Sequence, residues 1–200
     1  MGTRVIRLTG VAVVSLAVAL GQAPGAAAEG GARPDARREA AVTIGNFGRV
    51  DARLYRGEQP RSHEYRQLAS LGVRTVVDLR RPNARARADA EAAGLKYLSV
   101  TMRRRETPTD REAAAFLRAV TAPGNAPVFV HCAGGKHRTG SLVAVYRIAV
   151  HGWTAEQAYE EMLRYGFYSR FGHGVYRDFV FDYYARRRKS EGGRQKPEAL

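Results

Sequence analysis

Residues 127–152 admit few folds. Pro127-Val128-Phe129-Val130 is a short apolar run with the length and β-branched content of a buried strand. A turn-rich stretch from His131 to Gly140 follows, with glycines at 134 and 135, and Ser141 to His151 then carries a helical pattern closed by Gly152. Cys132, the single cysteine of the chain, stands where strand gives way to turn, and Arg138 follows it at the sixth position. A strand that empties into a glycine-bearing turn and then a helix points successive N–H groups inward and adds the positive end of the helix. That is a seat for a phosphate-like dianion, with a thiol at its base.

The residue types suit the seat. A helix N-terminus and nearby cations favour the thiolate over the thiol. Arg138 can grip two phosphoryl oxygens in a bidentate fork, which a lysine cannot. Backbone N–H groups of Ala133, Gly134, Gly135, Lys136, His137 and Arg138 are expected to bind the phosphate, and Thr139 to hydrogen-bond the sulfur. His131 is expected to order the loop rather than to act as a base, and Lys136 and His137 to face the pocket mouth and set selectivity. Together they suit in-line attack on a phosphate ester through a phosphocysteine intermediate. A lone cysteine is more commonly a small buried hydrophobe, but strand, glycines, arginine and helix here all fall where the chemistry needs them.

The stretch 131–140 resembles the His-Cys-x5-Arg-Thr-Gly signature loop of the cysteine-dependent phosphatases. Its form Gly-Lys-His-Arg-Thr-Gly is most similar to the atypical dual-specificity phosphatases of plants and fungi and their bacterial relatives. Low-molecular-weight phosphatases also use Cys-x5-Arg, but usually near the mature N-terminus; a rhodanese loop is shorter and lacks the Arg-Thr-Gly ending. The resemblance covers roughly residues 45–185 and implies a cysteine phosphatase needing no metal and no cofactor. The fold it implies is the three-layer α/β fold, a central mixed or parallel sheet flanked by helices. Leu54-Tyr55-Arg56-Gly57-Glu58-Gln59-Pro60 looks like a Tyr-Arg-Ser-Gly-Gln-Pro segment of the bacterial relatives, with Glu58 where a smaller residue is usual. That likeness puts Arg56 and Gln59 beside the pocket; a structural turn capped by Pro60 is the other reading.

The rest of the chain alternates helix and strand, as a layered α/β fold requires. Ser62 is placed to cap a helix ending at Gly72, Val73–Leu79 reads as a buried strand, and Asn83 caps a helix ending at Gly94. Lys96–Val100 is the next strand, and capping boxes stand at Thr109/Glu112 and Thr154/Gln157. The Cys132 strand is expected at the centre, with phosphate at the carboxyl ends of the strands. Asp78 at a strand end reads as a structural residue pairing with Arg80 or Arg81. A general acid should lie between Thr101 and Asp110, where only Glu106 and Asp110 are acidic and no Trp-Pro-Asp occurs. The resemblance favours Asp110, which follows a proline; the capping box instead makes Asp110 a first-turn residue that complements the helix dipole. His173 is expected to be packed or at the surface rather than against substrate.

Residues 1–28 read as a secretory signal: Arg4 and Arg7, an apolar run from Val11 to Leu20, and Ala26-x-Ala28. That run is too short to remain as a membrane anchor, so a secreted or periplasmic protein is expected. Residues 29–44 read as a flexible leader, 45–188 as the phosphatase domain and 189–200 as a disordered basic tail. Lysines and arginines number 33 against 19 acids, a net charge of +14, which attracts polyanions or simply solubilises the surface. No zinc-type cysteine set, RNA-binding aromatic motif or helix-turn-helix pattern points to nucleic acid. The expected substrates are phosphotyrosine or dual-specificity protein substrates, or inositol polyphosphates; Lys136, His137 and the Arg103-Arg104-Arg105 run lean toward the second, clustered phosphates. The alternative is a catalytically weak phosphate- or polyanion-binding module. The oligomeric state is left open.

Overall fold

Val76, Val77, Val128 and Val130 lie in strands with both faces covered, which is why their segments read as unbroken apolar runs. A hairpin of β1 (Gly48–Arg49) and β2 (Leu54–Gly57) leads into β3 (Thr75–Asp78), β4 (Lys96–Ser99) and β5 (Val128–His131). They form one five-stranded sheet in the order β1-β2-β5-β3-β4. Only β1 runs antiparallel; β5 lies at the centre, parallel to both β2 and β3. The computed structural model describes residues 34–194, so the expected signal at 1–28 and residues 195–200 of the tail lie outside the described residues.

Seven helices cover the sheet among the described residues: α1 (Pro34–Ala40), α2 (Glu64–Ser70), α3 (Ala84–Ala92), α4 (Asp110–Thr121), α5 (Arg138–His151), α6 (Ala155–Arg164) and α7 (Gly174–Arg194). Successive strand residues feed opposite cores. Leu54, Val77, Val128 and Val130 join Phe116, Leu142, Met162 and Val180 from α4 to α7. Tyr55, Val76 and Phe129 join Tyr65, Leu68, Ala86 and Ala90 from α2 and α3. The result is the three-layer α/β arrangement expected, a mixed sheet between two helical layers. No helix among the described residues is long and apolar enough to cross a membrane.

Most caps form as the sequence indicates. Asn83 accepts from the Ala86 N–H, both capping boxes close, and Gly152 ends α5 in the left-handed conformation. Ser62 does not cap α2. Its hydroxyl donates to Asp89 on α3 at 2.7 Å, and the helix starts after His63 with no side-chain cap. The leader expected to be flexible contains α1, whose Glu39 reaches Arg49 at 3.2 Å. The tail expected to be disordered from 189 continues α7 to Arg194.

The hairpin is tied to the far end of α5 by a carboxylate. Tyr146 Oη donates to Asp51 Oδ2 at 2.8 Å, His151 Nε2 at 2.9 Å, and the Arg53 N–H donates to Asp51 Oδ1 at 2.7 Å. Burial works to raise the Asp51 carboxyl, but these three donors outweigh it and hold it below its usual value. A carboxyl depressed in the folded state stabilises the fold above its unfolded value, and that stability is lost as pH falls through the folded value. Asp51→Asn is therefore expected to cost about 1 kcal/mol at pH 7. It should also flatten the loss of stability below about pH 4, measured by urea unfolding across a pH series.

Candidate active site

β5 ends at His131 between the carboxyl ends of β2 and β3, and the loop that follows carries Cys132, 4% exposed, into the gap. Each loop carbonyl from Cys132 to Gly135 has a donor behind it. His131 Nδ1 donates to the Cys132 carbonyl at 3.0 Å and the Gln59 N–H to Ala133 at 2.9 Å. Asn46 Nδ2 donates to Gly134 at 3.2 Å, and an Arg56 terminal nitrogen to Gly135 at 2.9 Å. In a planar trans peptide, a carbonyl held outward turns the next N–H inward. None of the N–H groups from Ala133 to Arg138 donates to a protein group among the described residues. Unpaired donors at the start of a helix such as α5 suit an anion.

The loop can make this turn only with glycine at 135. Gly135 has φ +63°, and a Cβ there would lie 2.5 Å from the Gly57 carbonyl oxygen at the end of β2. Gly134, its neighbour, has nothing within 4 Å of the same position.

Arg138, the first residue of α5, reaches the segments that follow β3 and β4, its Nη1 3.4 Å from the Leu79 carbonyl and 3.3 Å from that of Met102. It borders two cavities. One, about 410 Å³, holds Cys132, Ala133, Gly134, Lys136 and His137 with Arg104, Tyr168, His173 and Tyr176. The other, about 690 Å³, is a cleft running from Arg138 and Arg104 past Arg80, Arg81 and Arg103, with Glu106 its one acid. Arg81, Arg104 and Lys136 have no ion pair among the described residues, so their charge is uncommitted. No group of side chains suited to a metal occurs among the described residues.

Buried neutral or paired groups hold the loop from behind. Burial keeps His131 below its usual value although Asp78 Oδ2 lies 3.9 Å from its Nε2. Burial pushes Asp78 up, but hydrogen bonds from Arg80 and Tyr97 outweigh it and keep the carboxyl ionised, with Arg80 at 2.8 Å. His131 is thus an uncharged ring that fixes the Cys132 carbonyl. Thr139 is fully buried, but its hydroxyl has no partner, so the expected hydrogen bond to the sulfur is not made. Arg56 is fully buried behind the loop, not at the pocket border, because its guanidinium stacks 3.7 Å over the Tyr165 ring.

His137 forms part of an aromatic wall, stacked on His173 at 3.8 Å with Tyr168 edge-on at 4.4 Å. Burial, then the neighbouring His173, push it down to about 4, so it is neutral at pH 7. His173 is packed, as expected, yet it also lines the Cys132 cavity. Arg104, from the arginine run expected to recruit substrate, lines the same cavity; Tyr168 and Tyr176 line it too and carry no sequence signal beyond their place in an aromatic-rich stretch. Tyr176 Oη accepts from the Arg105 N–H at 2.9 Å and pins the arginine run beside the cavity. Asp110 takes the second of its two expected places, in the first turn of α4. The capping box sets it at the first position of α4, where it is 66% exposed, pairs with Arg186 at 2.8 Å and lines neither cavity.

A family model for DSP-PTPase phosphatases fused to NAD+ kinase matches residues 43–171. The chain belongs to that family. Among curated relatives of this family type, the dual specificity protein phosphatase TpbA of Pseudomonas aeruginosa is 35% identical over 61% of this chain and 55% of its own length. The inositol diphosphatase SIW14 of Saccharomyces cerevisiae is 28% identical over 61% of this chain and 46% of its own. The chain thus spans about half the length of these DSP-PTPase relatives. The crystal structure of TpbA superposes with a TM-score of 0.59 at 30% identity, covering 71% of this chain and 91% of that one. A cysteine-to-serine variant of TpbA has been solved with phosphotyrosine. The SIW14 catalytic core, at 23% identity, shares the fold with a TM-score of 0.62 over 75% of this chain and 94% of that one.

Two adjacent glycines of this DSP-PTPase loop separate its geometry from its composition. Gly135→Ala is expected to lose at least about 1–2 kcal/mol from the left-handed backbone alone, and inorganic phosphate binding with it. Gly134→Ala should stay within about 0.5 kcal/mol of wild type. Thermal unfolding and calorimetric titration with phosphate check both.

Proposed function

We propose that this chain is a cysteine-dependent phosphatase that hydrolyses phosphate monoesters through a phosphocysteine intermediate. The observation that carries the reading is the set of held carbonyls from Cys132 to Gly135, which leaves the N–H groups from Ala133 to Lys136 without a protein acceptor beside Cys132, with Arg138 lining the same cavity. The Cys132 thiolate attacks phosphorus, forming the S–P bond as the bond to the leaving oxygen breaks. Arg138 and the loop N–H groups hold the equatorial oxygens, whose charge grows in the transition state. The leaving oxygen takes a proton from an acid; that group then takes one from water, which attacks phosphorus, breaks the S–P bond and releases phosphate.

We assign the acid to Glu106, which lines the cleft at Arg138, in place of the Asp110 expected from the sequence. The substrate class we favour carries more than one phosphate. Arg81 and Arg104 are uncommitted cations along the cleft, and such charges suit an inositol polyphosphate or a multiply phosphorylated peptide. TpbA is a dual specificity protein phosphatase and SIW14 an inositol diphosphatase, so relatives of both protein and inositol substrate class occur. Export to a secreted or periplasmic location, without a lasting anchor or a nucleic-acid partner, remains part of the proposal on the strength of residues 1–28 and the motif content. A binding module of low turnover is the second reading, favoured by the lack of any carboxylate lining the Cys132 cavity itself.

Phosphate release from an aryl phosphate, a phosphotyrosyl peptide and inositol hexakisphosphate, under reducing conditions, tests the reading. Cys132→Ser is expected to lower turnover at least about 10³-fold; retained binding with no wild-type release leaves the binding module. Replacing Arg81 and Arg104 with glutamine should weaken the inositol substrate about tenfold more than the aryl phosphate.

Leaving-group dependence tests the acid. Glu106→Gln is expected to slow alkyl phosphate hydrolysis about 10²-fold and nitrophenyl phosphate much less. Asp110→Asn should change neither by more than about twofold; the reverse pattern would return the role to Asp110.

A further inference from the structure

Arg56 is a charged side chain with no access to solvent. It lies on β2 opposite Val130 of β5, behind the phosphate loop. One terminal nitrogen donates to the Gly135 carbonyl at 2.9 Å, the guanidinium carbon sits 3.7 Å over the Tyr165 ring, and Nε and the other terminal nitrogen have no hydrogen-bond partner. Burying an ion with donors unpaired is costly, and an apolar side chain of similar volume would fill the space at less expense. Packing alone does not call for a cation here.

The groups that face it are Glu161, Tyr165, Cys132 and Arg147. Glu161 is committed to Arg147 at 2.6 Å, which leaves the Arg56 charge to act on the loop. Gly140, at the start of α5, is also close: a Cβ there would lie 3.8 Å from an Arg56 terminal nitrogen. Burial first pulls Arg56 down to about 10, while Glu161, Tyr165 and Cys132 work the other way, so it stays charged at neutral pH. A lysine depressed as far would titrate near about pH 8. Only arginine keeps its charge in this place.

We propose that Arg56 is a positioning residue of the phosphate loop: it holds the Gly135 carbonyl so that the Lys136 N–H faces the anion, and it fixes a positive charge behind Cys132. The inference rests on reading Cys132 as the nucleophile. The test uses the full chain as wild type, Arg56→Met, Arg56→Lys and Tyr165→Leu, with circular dichroism as the check on folding. Two readouts bear on the role: the pH profile of Cys132 alkylation by iodoacetamide, and protection from alkylation by inorganic phosphate. Arg56→Met is expected to move the alkylation midpoint up by about one pH unit and to weaken phosphate protection about tenfold. Arg56→Lys should restore both at pH 6–7 and lose them as pH rises through about 8. Tyr165→Leu should shift both in the same direction as Arg56→Met, by less.

A folded Arg56→Met protein with the wild-type alkylation midpoint and phosphate protection overturns the proposal. If that variant does not fold, an Arg56→Lys protein that matches wild type from pH 6 to 9 overturns it equally. A shifted alkylation profile in a chain whose wild type releases no phosphate from any substrate would sink the phosphatase reading and leave the role of Arg56 standing.

Discussion

The orientation of the peptides between Cys132 and Arg138 is the constraint on which the site depends. A loop with its amides facing one point is electrostatically strained until an anion arrives, and it would relax by flipping peptides outward if nothing held them. Here His131, Gln59, Asn46 and Arg56 each hold one carbonyl, and they come from β5, from the segment after β2, from the segment before β1 and from β2 itself. The sheet order makes this arrangement available. With β5 between β2 and β3, the loop emerges against the end of β2, close enough that only a glycine fits opposite Gly57.

Charge is sorted around this loop. The carboxylates behind it are committed: Asp78 to Arg80 and Tyr97, and Glu161 to Arg147. Of the cations that open onto the cavities, Arg80 pairs with Asp78 and Arg103 with Glu106, while Arg81, Arg104, Lys136 and Arg138 have no acid partner among the described residues. An excess of positive charge spread over the chain is thereby concentrated where the empty hydrogen-bond donors converge, and such a focus raises the local concentration of anionic substrates.

What the sequence revealed was whatever short-range physics decides. Asn83, Thr109 with Glu112, Thr154 with Gln157, and Gly152 act within one helical turn, and each could be read from its neighbours. The β5–loop–α5 unit was legible for the same reason. Contacts between distant segments were not. Ser62 had the right spacing for a cap but found Asp89 across 27 residues, and Asp110 found Arg186 across 76. The likeness of its segment to the bacterial relatives puts Arg56 at the pocket border; its burial depends on Tyr165, more than a hundred residues away, supplying a ring in place of water. The aromatic wall of Tyr168, His173 and Tyr176 needed α6 and α7 folded before its position over Cys132 existed.

The central claim is that Cys132 bonds covalently to phosphorus in a seat formed by the loop amides. Rapid-quench mass spectrometry on the chain turning over an aryl phosphate tests it most directly. The account predicts a phosphoryl group on the peptide containing Cys132, and none in Cys132→Ser. Turnover with no adduct on Cys132, or turnover that survives Cys132→Ser, would contradict it.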